Sequence, residues 1–380
     1  MKVGVLGGGQ LARMLALAGL PLGVRCRFLD PSPRAVAGHL GELVVAPYDD
    51  VDGLRRLADG VDVVTFEFEN VPASSIELLQ RHVRVAPAPV ALATGQDRVR
   101  EKTLFGELGM ATPKWRAAGS RDELHAAVAA VGAPCIVKTR RMGYDGKGQA
   151  RLAAGADAAA VDAVWRDLGD PRNGGLIVEG FVAFDREVSV LAARSRTGAV
   201  ACYPLVENVH DGGILRRSRA PAPGVPAAVE QRAHAFVRAA MERLDYVGVL
   251  AVELFLRGDD LLANEMAPRV HNSGHWTIEG AACSQFENHL RAILGLPLGS
   301  TAMAGGGHAT MVNLIGDLPE RGALLELPGL HLHAYGKALR PGRKVGHATV
   351  VGQDRAAVDD LAAQAAALPP GDPAAWGFDG

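Results

Sequence analysis

The chain has 380 residues, of which 48% are hydrophobic and 22% charged, and its formal net charge is -2. This length predicts two or three domains with apolar cores, and the near-neutral charge provides no general attraction to nucleic acid or anionic membranes. No apolar run is long enough to cross a bilayer, and the four scattered cysteines favour neither disulfides nor a thiolate metal site, so we expect a cytoplasmic protein with no membrane or nucleic-acid partner.

The first part of the chain, residues 1–95, is predicted to be an α/β domain with a parallel sheet. Short apolar runs at 2–6, 24–29, 43–45 and 61–66 alternate with helical patterns. Such alternation is typical of parallel strands that are covered by helices on both faces. Because the first strand pattern starts at the second residue, no cleaved signal peptide is expected.

A glycine-rich turn between the first strand and the first helix matches a dinucleotide-binding fingerprint. The sequence Gly7-Gly8-Gly9-Gln10-Leu11-Ala12 has the spacing G-x-G-x-x-A, and Asp30 ends the next strand. In dinucleotide-binding enzymes such a turn approaches the pyrophosphate, and the acid binds a ribose hydroxyl. The pattern also fits a single phosphate site or a tight turn. A dinucleotide-dependent oxidoreductase is therefore an alternative interpretation of the chain.

The middle of the chain, residues 96–299, is predicted to form a second domain. It opens on a helix that Asp97 can cap. The alanine-rich stretch 150–169 and residues 225–244 also have helical spacing. Strand patterns occur at 176–179, 187–193, 247–256 and 261–266.

A glycine loop in this domain predicts a phosphate site. An apolar run ends in Lys138, and five residues later the chain reads Gly143-Tyr144-Asp145-Gly146-Lys147-Gly148-Gln149. Its glycines let backbone N–H groups approach a ligand closely, and such groups form a cradle for phosphate oxygens together with a lysine. The chain is therefore expected to bind a nucleoside triphosphate. Tyr144 and Asp145 are either turn formers or substrate contacts of a mobile loop.

Four charged residues of the second predicted domain are ambiguous by themselves. Arg98 and Lys102 lie on the helix after Asp97, where they could be solvated surface charges. Glu179 and Glu187 flank a connection between two strands. Each of these acids could accept a hydrogen bond from an adenine amine or a ribose, or be an ordinary edge-strand charge.

Two carboxylates near a predicted hairpin indicate a metal site. If Gly258-Asp259-Asp260 is a three-residue loop, Glu253 lies opposite Glu265 on one face, whereas a two-residue loop would place them on opposite faces. Like charges facing each other across a hairpin repel. Mg²⁺, which binds one or two carboxylates together with substrate phosphates, would explain the pair.

Polar residues that suit a substrate follow Glu265. In Ala267-Pro268-Arg269-Val270-His271-Asn272-Ser273, the arginine can hold a carboxylate or phosphate with two hydrogen bonds, and the last three residues add directional donors. The alternative is a polar capping loop. The last part of the chain, 300–380, predicts a small domain with a basic turn, Arg340-Pro341-Gly342-Arg343-Lys344, and a final helix at 356–368.

Taken together, these motifs resemble the ATP-grasp superfamily and, within it, the N5-carboxyaminoimidazole ribonucleotide synthetase family. The matching segments are 143–149, 267–277 and 340–347, and the resemblance runs over essentially the whole chain. It implies an ATP-grasp α/β fold with a parallel-sheet pre-ATP-grasp domain, an ATP-grasp domain whose lid spans about 133–185, and a small C-terminal domain. Met142 departs from the family, which often has glycine there.

The resemblance also implies the roles of individual residues. ATP is expected on Arg98, Lys102, Lys138, Gly143, Tyr144, Asp145, Gly146, Lys147, Gly148, Gln149, Glu179, Gly180, Phe181, Val182, Glu187, His210, Asn264 and Glu265. Mg²⁺ is expected on Glu253 and Glu265. The ribonucleotide substrate is expected on Glu67 (or Glu69), Tyr144, Asp145, Arg269, His271, Asn272, Ser273, Lys337, Arg340, Arg343 and Lys344. The catalytic group would be Asp145, Lys147, Arg269 and His271.

The implied activity is ATP- and bicarbonate-dependent carboxylation of 5-aminoimidazole ribonucleotide in purine biosynthesis, through carboxyphosphate, with release of ADP and phosphate. Asp145 or His271 could orient the substrate amine or accept its proton, and the phosphate by-product is an alternative base. Two other functions stay open, namely an ATP-grasp ligase for another purine intermediate and a non-catalytic nucleotide sensor. The expected partners are small molecules and a second copy of the chain in a homodimer.

Overall fold

The fold, a computed structural model that describes residues 1–143 and 146–377, begins with a four-stranded parallel sheet of order β3-β2-β1-β4. Its strands are rich in buried valine, leucine and phenylalanine because helices cover both faces, which confirms the predicted parallel sheet. The elements of this part are β1 (Lys2–Leu6), α1 (Gln10–Gly19), β2 (Arg25–Asp30), β3 (Glu42–Val45), α2 (Val51–Ala58), β4 (Val63–Phe66), α3 (Ala73–Gln80) and α4 (Pro89–Gly95).

A second sheet is antiparallel, of order β5-β8-β6-β7, and shares an apolar cluster with the helices beside it. The stretch 150–169, predicted as helical, instead begins within a strand and becomes helical only at Ala158, because Asp157 caps the helix by accepting from Ala160 N. The elements of this part are α5 (Arg98–Glu107), β5 (Trp115–Ala118), α6 (Arg121–Val131), β6 (Cys135–Thr139), β7 (Gln149–Leu152), α7 (Ala158–Leu168) and β8 (Leu176–Gly180).

The largest sheet has nine strands in the order β14-β13-β9-β11-β12-β15-β17-β16, with β10 paired to β9. Strand β15 pairs with β12, so the last part of the chain extends the same sheet. The elements of this sheet and its helices are β9 (Arg186–Arg194), β10 (Val200–Cys202), β11 (Val206–Asp211), β12 (Ile214–Ala220), α8 (Ala227–Arg243), β13 (Gly248–Arg257), β14 (Asp260–Ala267), α9 (Thr277–Gly280), α10 (Gln285–Leu294), β15 (His308–Ile315), α11 (Arg321–Leu325), β16 (Leu330–Ala334), β17 (Lys344–Gly352) and α12 (Arg355–Ala367).

Two buried contacts fix the first sheet against the largest one. Leu15 of α1, Phe286 and Leu290 of α10 and residues of both sheets share one apolar cluster. Burial of each such side chain contributes roughly 1.5–3 kcal/mol. His289 adds hydrogen bonds to Thr65 Oγ1 (2.9 Å) and from Val249 N (3.1 Å). The carboxyl ends of β1 and β4 are therefore held beside the hairpin of β13 and β14. No helix in the described parts of the chain combines the length and apolar character needed to cross a membrane.

Candidate active site

A cleft of about 1140 Å³ lies where the three sheets meet. The predicted site residues that line it are Glu67, Arg98, Lys138, Gly143, Gly146, Lys147, Gln149, Glu179, Gly180, Phe181, Val182, Glu187, His210, Glu253, Asn264, Glu265, Arg269, His271, Asn272, Lys337, Arg340, Arg343 and Lys344. The alternative acid Glu69 also lines the cleft. Lys102, Gly148 and Ser273 lie in segments next to the cleft without lining it, and Tyr144 and Asp145 lie outside the described residues.

Strand alternation points Lys138 of β6 into the cleft. Cys135, Val137 and Thr139 are buried, whereas Ile136 and Lys138 lie on the other face and line the cleft. Lys138 Nζ donates to Glu179 Oε2 at 3.0 Å. Burial raises the pKa of Glu179, but the charges of Lys138 and Lys102 outweigh it and lower the pKa to about 2. Because the second oxygen, Oε1, is buried and has no hydrogen-bond partner in the described chain, it can accept from a bound ligand.

The glycine loop packs against the hairpin of β11 and β12. Gly146 has φ +74, and a Cβ there would lie 2.8 Å from Gly212 O, so only glycine fits this contact. Met142, just before the loop, has φ +65, a conformation that costs a non-glycine residue about 1 kcal/mol. The glycine loop therefore rests on the largest sheet at one edge of the cleft.

Lys102 is buried, in contrast to the surface position that the sequence alone suggests. Only 1% of the residue is exposed, and Nζ donates to Asn264 O at 2.6 Å and to Ala263 O at 3.3 Å. Its Nζ is also 3.5 Å from Glu179 Oε2. Lys102 thus anchors the backbone of β14 beside the cleft.

Glu253 and Glu265 face each other across β13 and β14, but the predicted three-residue loop is wrong. The turn holds two residues, Gly258 and Asp259, since Arg257 pairs with Asp260. A β-bulge then restores the register: Leu254 pairs with Ala263 and Glu253 with Glu265, so Asn264 is the extra residue.

The two carboxylates differ in their electrostatic surroundings. Burial and the neighbouring Glu265 charge raise the pKa of Glu253. Burial also acts to raise the pKa of Glu265, but the charges of Arg98 and Lys138 lower it overall. Arg98 Nη1 donates to Glu265 Oε2 at 2.9 Å, and Asn264 Oδ1 is buried with no hydrogen-bond partner within the described chain.

These oxygens fit a hard divalent cation. Two carboxylates and one unpartnered amide oxygen are the donor set that Mg²⁺ accepts, with its remaining ligands supplied by water or phosphate. Across 1–143 and 146–377, no group of three or more histidine, cysteine, aspartate and glutamate side chains is arranged to hold a metal. The remaining ligands of such an ion would therefore be water or oxygens of a bound molecule.

Glu187 and His210 form an ion pair at the side of the cleft, on the neighbouring strands β9 and β11. His210 Nδ1 contacts Glu187 Oε2 directly. Burial would lower the pKa of His210, but the hydrogen bond to Glu187 and nearby carboxylates raise it. Both residues line the cleft, as Phe181 and Val182 do.

The glycine turn after β1 binds the protein's own acids. The Glu67 carboxylate accepts from Gly9 N and from Ala12 N, the second at 2.8 Å, and Asp30 Oδ2 accepts from Gly8 N at 2.9 Å. A Cβ on Gly7 would lie 2.4 Å from Glu67 Cγ, which explains the glycine there. The start of α1, which a dinucleotide pyrophosphate would need, is filled by Glu67, so the structure disfavours the oxidoreductase interpretation.

The polar loop after β14 is held in place by hydrogen bonds between its backbone and Gln285. Gln285 Oε1 accepts from His271 N at 2.9 Å, and Gln285 Nε2 donates to His271 O at 2.6 Å. Arg269 Nη2 pairs with Glu69 Oε2 at 3.1 Å. Both amide atoms of Asn272 are buried and lack hydrogen-bond partners in the part of the chain that the structure describes, which fits a ligand contact. The sequence gives no local signal for Gln285, because its hydrogen bonds to the loop exist only after folding.

Four cations of the last part converge on the same cleft, namely Lys337, Arg340, Arg343 and Lys344. Lys337 Nζ donates to Gln10 Oε1, a contact that the sequence analysis missed. Burial and the charges of the three other cations lower the pKa of Lys337 to about 8, although Glu67 opposes this. Such crowding of positive charge fits an anionic group such as a phosphate.

Three family models match consecutive parts of the chain. The ribonucleotide synthetase preATP-grasp domain matches residues 1–96, the ATP-grasp domain matches 103–286, and the phosphoribosylaminoimidazole carboxylase C-terminal domain matches 309–361.

Proteins and solved structures with similar sequences cover nearly the whole chain. The N5-carboxyaminoimidazole ribonucleotide synthase of Pseudomonas aeruginosa is 52% identical over 368 residues, which are 97% of this chain and 99% of that protein. The crystal structure of the synthetase from Thermus thermophilus has a TM-score of 0.91 and 53% identity, covering 98% of this chain and 99% of that one. The Aspergillus clavatus synthase, solved in complex with ADP and 5-aminoimidazole ribonucleotide, has a TM-score of 0.85 and 32% identity, covering 95% of this chain and 96% of that one.

Proposed function

The chain belongs to the N5-carboxyaminoimidazole ribonucleotide synthase family of ATP-grasp ligases, and from this premise we propose which residues of its cleft carry each part of the family's reaction. The enzyme uses ATP to carboxylate 5-aminoimidazole ribonucleotide in purine biosynthesis. The observation that carries the assignment is a single cleft that joins a lysine–glutamate pair, an acidic pair and a basic cluster.

The nucleotide is assigned to the side of the cleft that faces the lid. Lys138 and the backbone of the glycine loop bind phosphate oxygens. Glu179 Oε1, which is buried without a partner among residues 1–143 and 146–377, accepts from the adenine amine. Glu187 and His210 complete this wall. Lys102 supports the site from beneath by holding the carbonyls of Ala263 and Asn264.

Glu253, Glu265 and Asn264 are the residues that would hold Mg²⁺. When bound, the ion would neutralise the charge that develops on the transferred phosphoryl group. Arg98 orients Glu265 through its 2.9 Å hydrogen bond. Burial makes the two carboxylates repel strongly when both are ionised, so the pair favours binding of a divalent cation.

Bicarbonate is a weak electrophile, and its activation by ATP as carboxyphosphate requires a dry site, since carboxyphosphate reacts with water. The lid supplies this condition where Gly146 contacts Gly212 across the cleft. Lys147, which lines the cleft from the lid, is placed to stabilise the transferred phosphoryl group.

The ribonucleotide is assigned to the opposite side of the cleft. Lys337, Arg340, Arg343 and Lys344 bind its phosphate. Arg269, His271 and Asn272, with Glu67 or Glu69, hold the imidazole and ribose, and Ser273, predicted as a further contact, lies behind them against His271. The exocyclic amine then meets the activated carboxyl group, and Asp145, outside the described residues, orients this amine.

The assembly and location are also proposals. A cytoplasmic homodimer is proposed from the general prevalence of symmetric dimers among soluble enzymes, and the boundaries near residues 95 and 299 are retained from the sequence. Light scattering of the purified chain tests the dimer, because a mass of one chain at micromolar concentration would refute it.

One assay tests the function. ADP release is measured with ATP and magnesium while bicarbonate or 5-aminoimidazole ribonucleotide is omitted in turn. We expect release only when both are present. Release with a different purine intermediate would identify another ligase, and no release under any condition would identify a nucleotide sensor.

A further inference from the structure

A buried chain of hydrogen bonds runs behind the site to the ring of His271. Ser218 Oγ donates to Asn208 Oδ1 at 2.7 Å, and Asn208 Nδ2 donates to Ser189 Oγ at 3.0 Å. Ser189 Oγ donates to Ser273 Oγ at 2.8 Å, and Ser273 Oγ lies 2.9 Å from His271 Nδ1. These four residues, called the serine–asparagine chain below, are all buried and cross β12, β11, β9 and the loop after β14.

The direction of this chain is fixed by one backbone group. The N–H of Ser273 donates to His271 Nδ1 at 3.3 Å, and a backbone N–H can only donate. Nδ1 must therefore be an acceptor. The hydroxyl of Ser273, which has one proton and accepts from Ser189, gives that proton to Nδ1.

The reverse orientation fails at its last step. If the amide of Asn208 were turned around, Ser189 would donate to it, and Ser273 would donate to Ser189. His271 would then have to carry its proton on Nδ1. That proton would bond to Ser273 Oγ, and the Ser273 N–H would lose its acceptor on the ring, at a cost of about 1–3 kcal/mol.

We propose that Ser189, Asn208, Ser218 and Ser273 are positioning residues that hold neutral His271 as the tautomer with its proton on Nε2, so that this ring acts as a hydrogen-bond donor in the cleft. The inference rests on the proposed function, because it assigns His271 to the ribonucleotide side. His271 Nε2 lies 3.4 Å from Glu253 Oε1, so the tautomer also directs a donor at that carboxylate.

A consequence concerns the chemistry of the ring. The one lone pair of neutral His271 is on Nδ1, where two donors of Ser273 already occupy it. The ring therefore orients substrate or Glu253 through Nε2–H, and the proton of the substrate amine goes to another group. Of the two roles that the sequence left open for His271, the ring therefore orients the substrate amine and does not accept its proton.

The tautomer itself is the first test. Nitrogen NMR of the full chain with ¹⁵N-labelled histidine distinguishes the two neutral tautomers by the shifts of the ring nitrogens, and the signals of His271 are assigned as those lost in His271→Asn. We expect the wild-type signals of the Nε2–H form. Signals of the Nδ1–H form in the wild-type chain would overturn the proposal, whatever the outcome of the turnover assays.

Two variants test whether the chain matters for turnover. Asn208→Asp makes residue 208 accept from both serines, which turns the Ser189 proton away from Ser273. Ser189→Ala removes the link itself. We expect whichever of these variants folds to lower kcat by about 10-fold, and Asn208→Asp to give a mixture of His271 tautomers. Wild-type kcat and tautomer in the folded variants would overturn the proposal.

A matched control shows whether the effect depends on the serine–asparagine chain or follows from the loss of any buried hydroxyl. Ser195 is also a buried serine next to β9, but its Oγ contacts Thr197 and Ala199 N instead of the serine–asparagine chain. Ser195→Ala is expected to keep the wild-type His271 signals and kcat. If ADP release failed in the wild-type chain, the proposed function would fall while the tautomer measurement would still stand on its own.

Discussion

Glu253 and Glu265 pair directly across β13 and β14 because β14 carries Asn264 as one extra residue between the turn and the pair. The bulge is held by Lys102, which donates to the carbonyls of Ala263 and Asn264. A single buried lysine thus maintains the register on which the acidic pair depends. Asn264 itself lines the cleft together with the two carboxylates.

Replacing Glu265 by glutamine is expected to keep the fold and to lower kcat by about 100-fold or more. The change removes one of two proposed metal ligands and the charge partner of Arg98, while the amide keeps the size of the side chain. Stability changes little because the loss of the Arg98 pair is offset by relief of the repulsion with Glu253. ADP release and far-ultraviolet circular dichroism measure the two effects.

The matched control is Asp260→Asn, an exposed acid at the other end of the same strand. It should have wild-type turnover. Near-normal activity of Glu265→Gln, with the control also active, would show that the acidic pair does not bind the catalytic metal.

Lys102 and Lys138 both contact Glu179, but their methionine variants are expected to fail differently. Lys102→Met breaks a fully buried set of hydrogen bonds to β14 and should lower the free energy of unfolding by roughly 3 kcal/mol. Lys138→Met removes a cation that lines the cleft and should raise the KM for ATP by about 10-fold at smaller loss of stability. Urea unfolding measures the loss of stability, and initial rates measure the KM for ATP. If the two variants changed both quantities equally, the distinction between a structural Lys102 and an ATP-binding Lys138 would be refuted.

The KM for 5-aminoimidazole ribonucleotide is expected to rise as the pH increases above about 8. Burial lowers the pKa of Lys337 to about 8, so this lysine loses its charge at a pH where the neighbouring arginines keep theirs. Lys337→Arg should remove the rise because a guanidinium stays protonated. Initial rates from pH 7 to pH 9 test this, and an equal rise in the variant would exclude Lys337 as its source.

Acid is expected to destabilise the fold partly through His289. Burial lowers the pKa of His289 to about 4, below the 6.5 of an unfolded chain, so the unfolded state binds the extra proton first. The contribution of His289 to the free energy of unfolding is therefore fully present above about pH 6.5. It is lost as the pH drops toward 4, by roughly 3 kcal/mol in total. His289→Gln, which can keep a donor for Thr65 and an acceptor for Val249, should reduce this dependence.

Urea unfolding of both proteins at pH 7 and pH 5 measures the difference. A variant with the same pH dependence as the wild-type chain would show that the contact between the first and largest sheets does not sense acid through His289.

The sequence analysis predicted the parallel first sheet correctly because doubly covered strands are continuous apolar runs. It paired Glu253 with Glu265 through the wrong loop, since nothing in Asn264 marks a bulge before the strands pair. It placed Lys102 among the ATP contacts and did not predict its bonds to β14, because its main partner, Asn264, is 162 residues away. It missed the serine–asparagine chain because that chain exists only where four separate segments meet.

The measurement that tests the account most directly is a crystal structure of the chain with magnesium, ADP and 5-aminoimidazole ribonucleotide. We predict a metal ion about 2.1 Å from carboxylate oxygens of both Glu253 and Glu265, with the ribonucleotide phosphate on the basic residues from Lys337 to Lys344. A metal ion bound away from both acids, or a substrate phosphate on the glycine turn that now holds Glu67, would contradict the account.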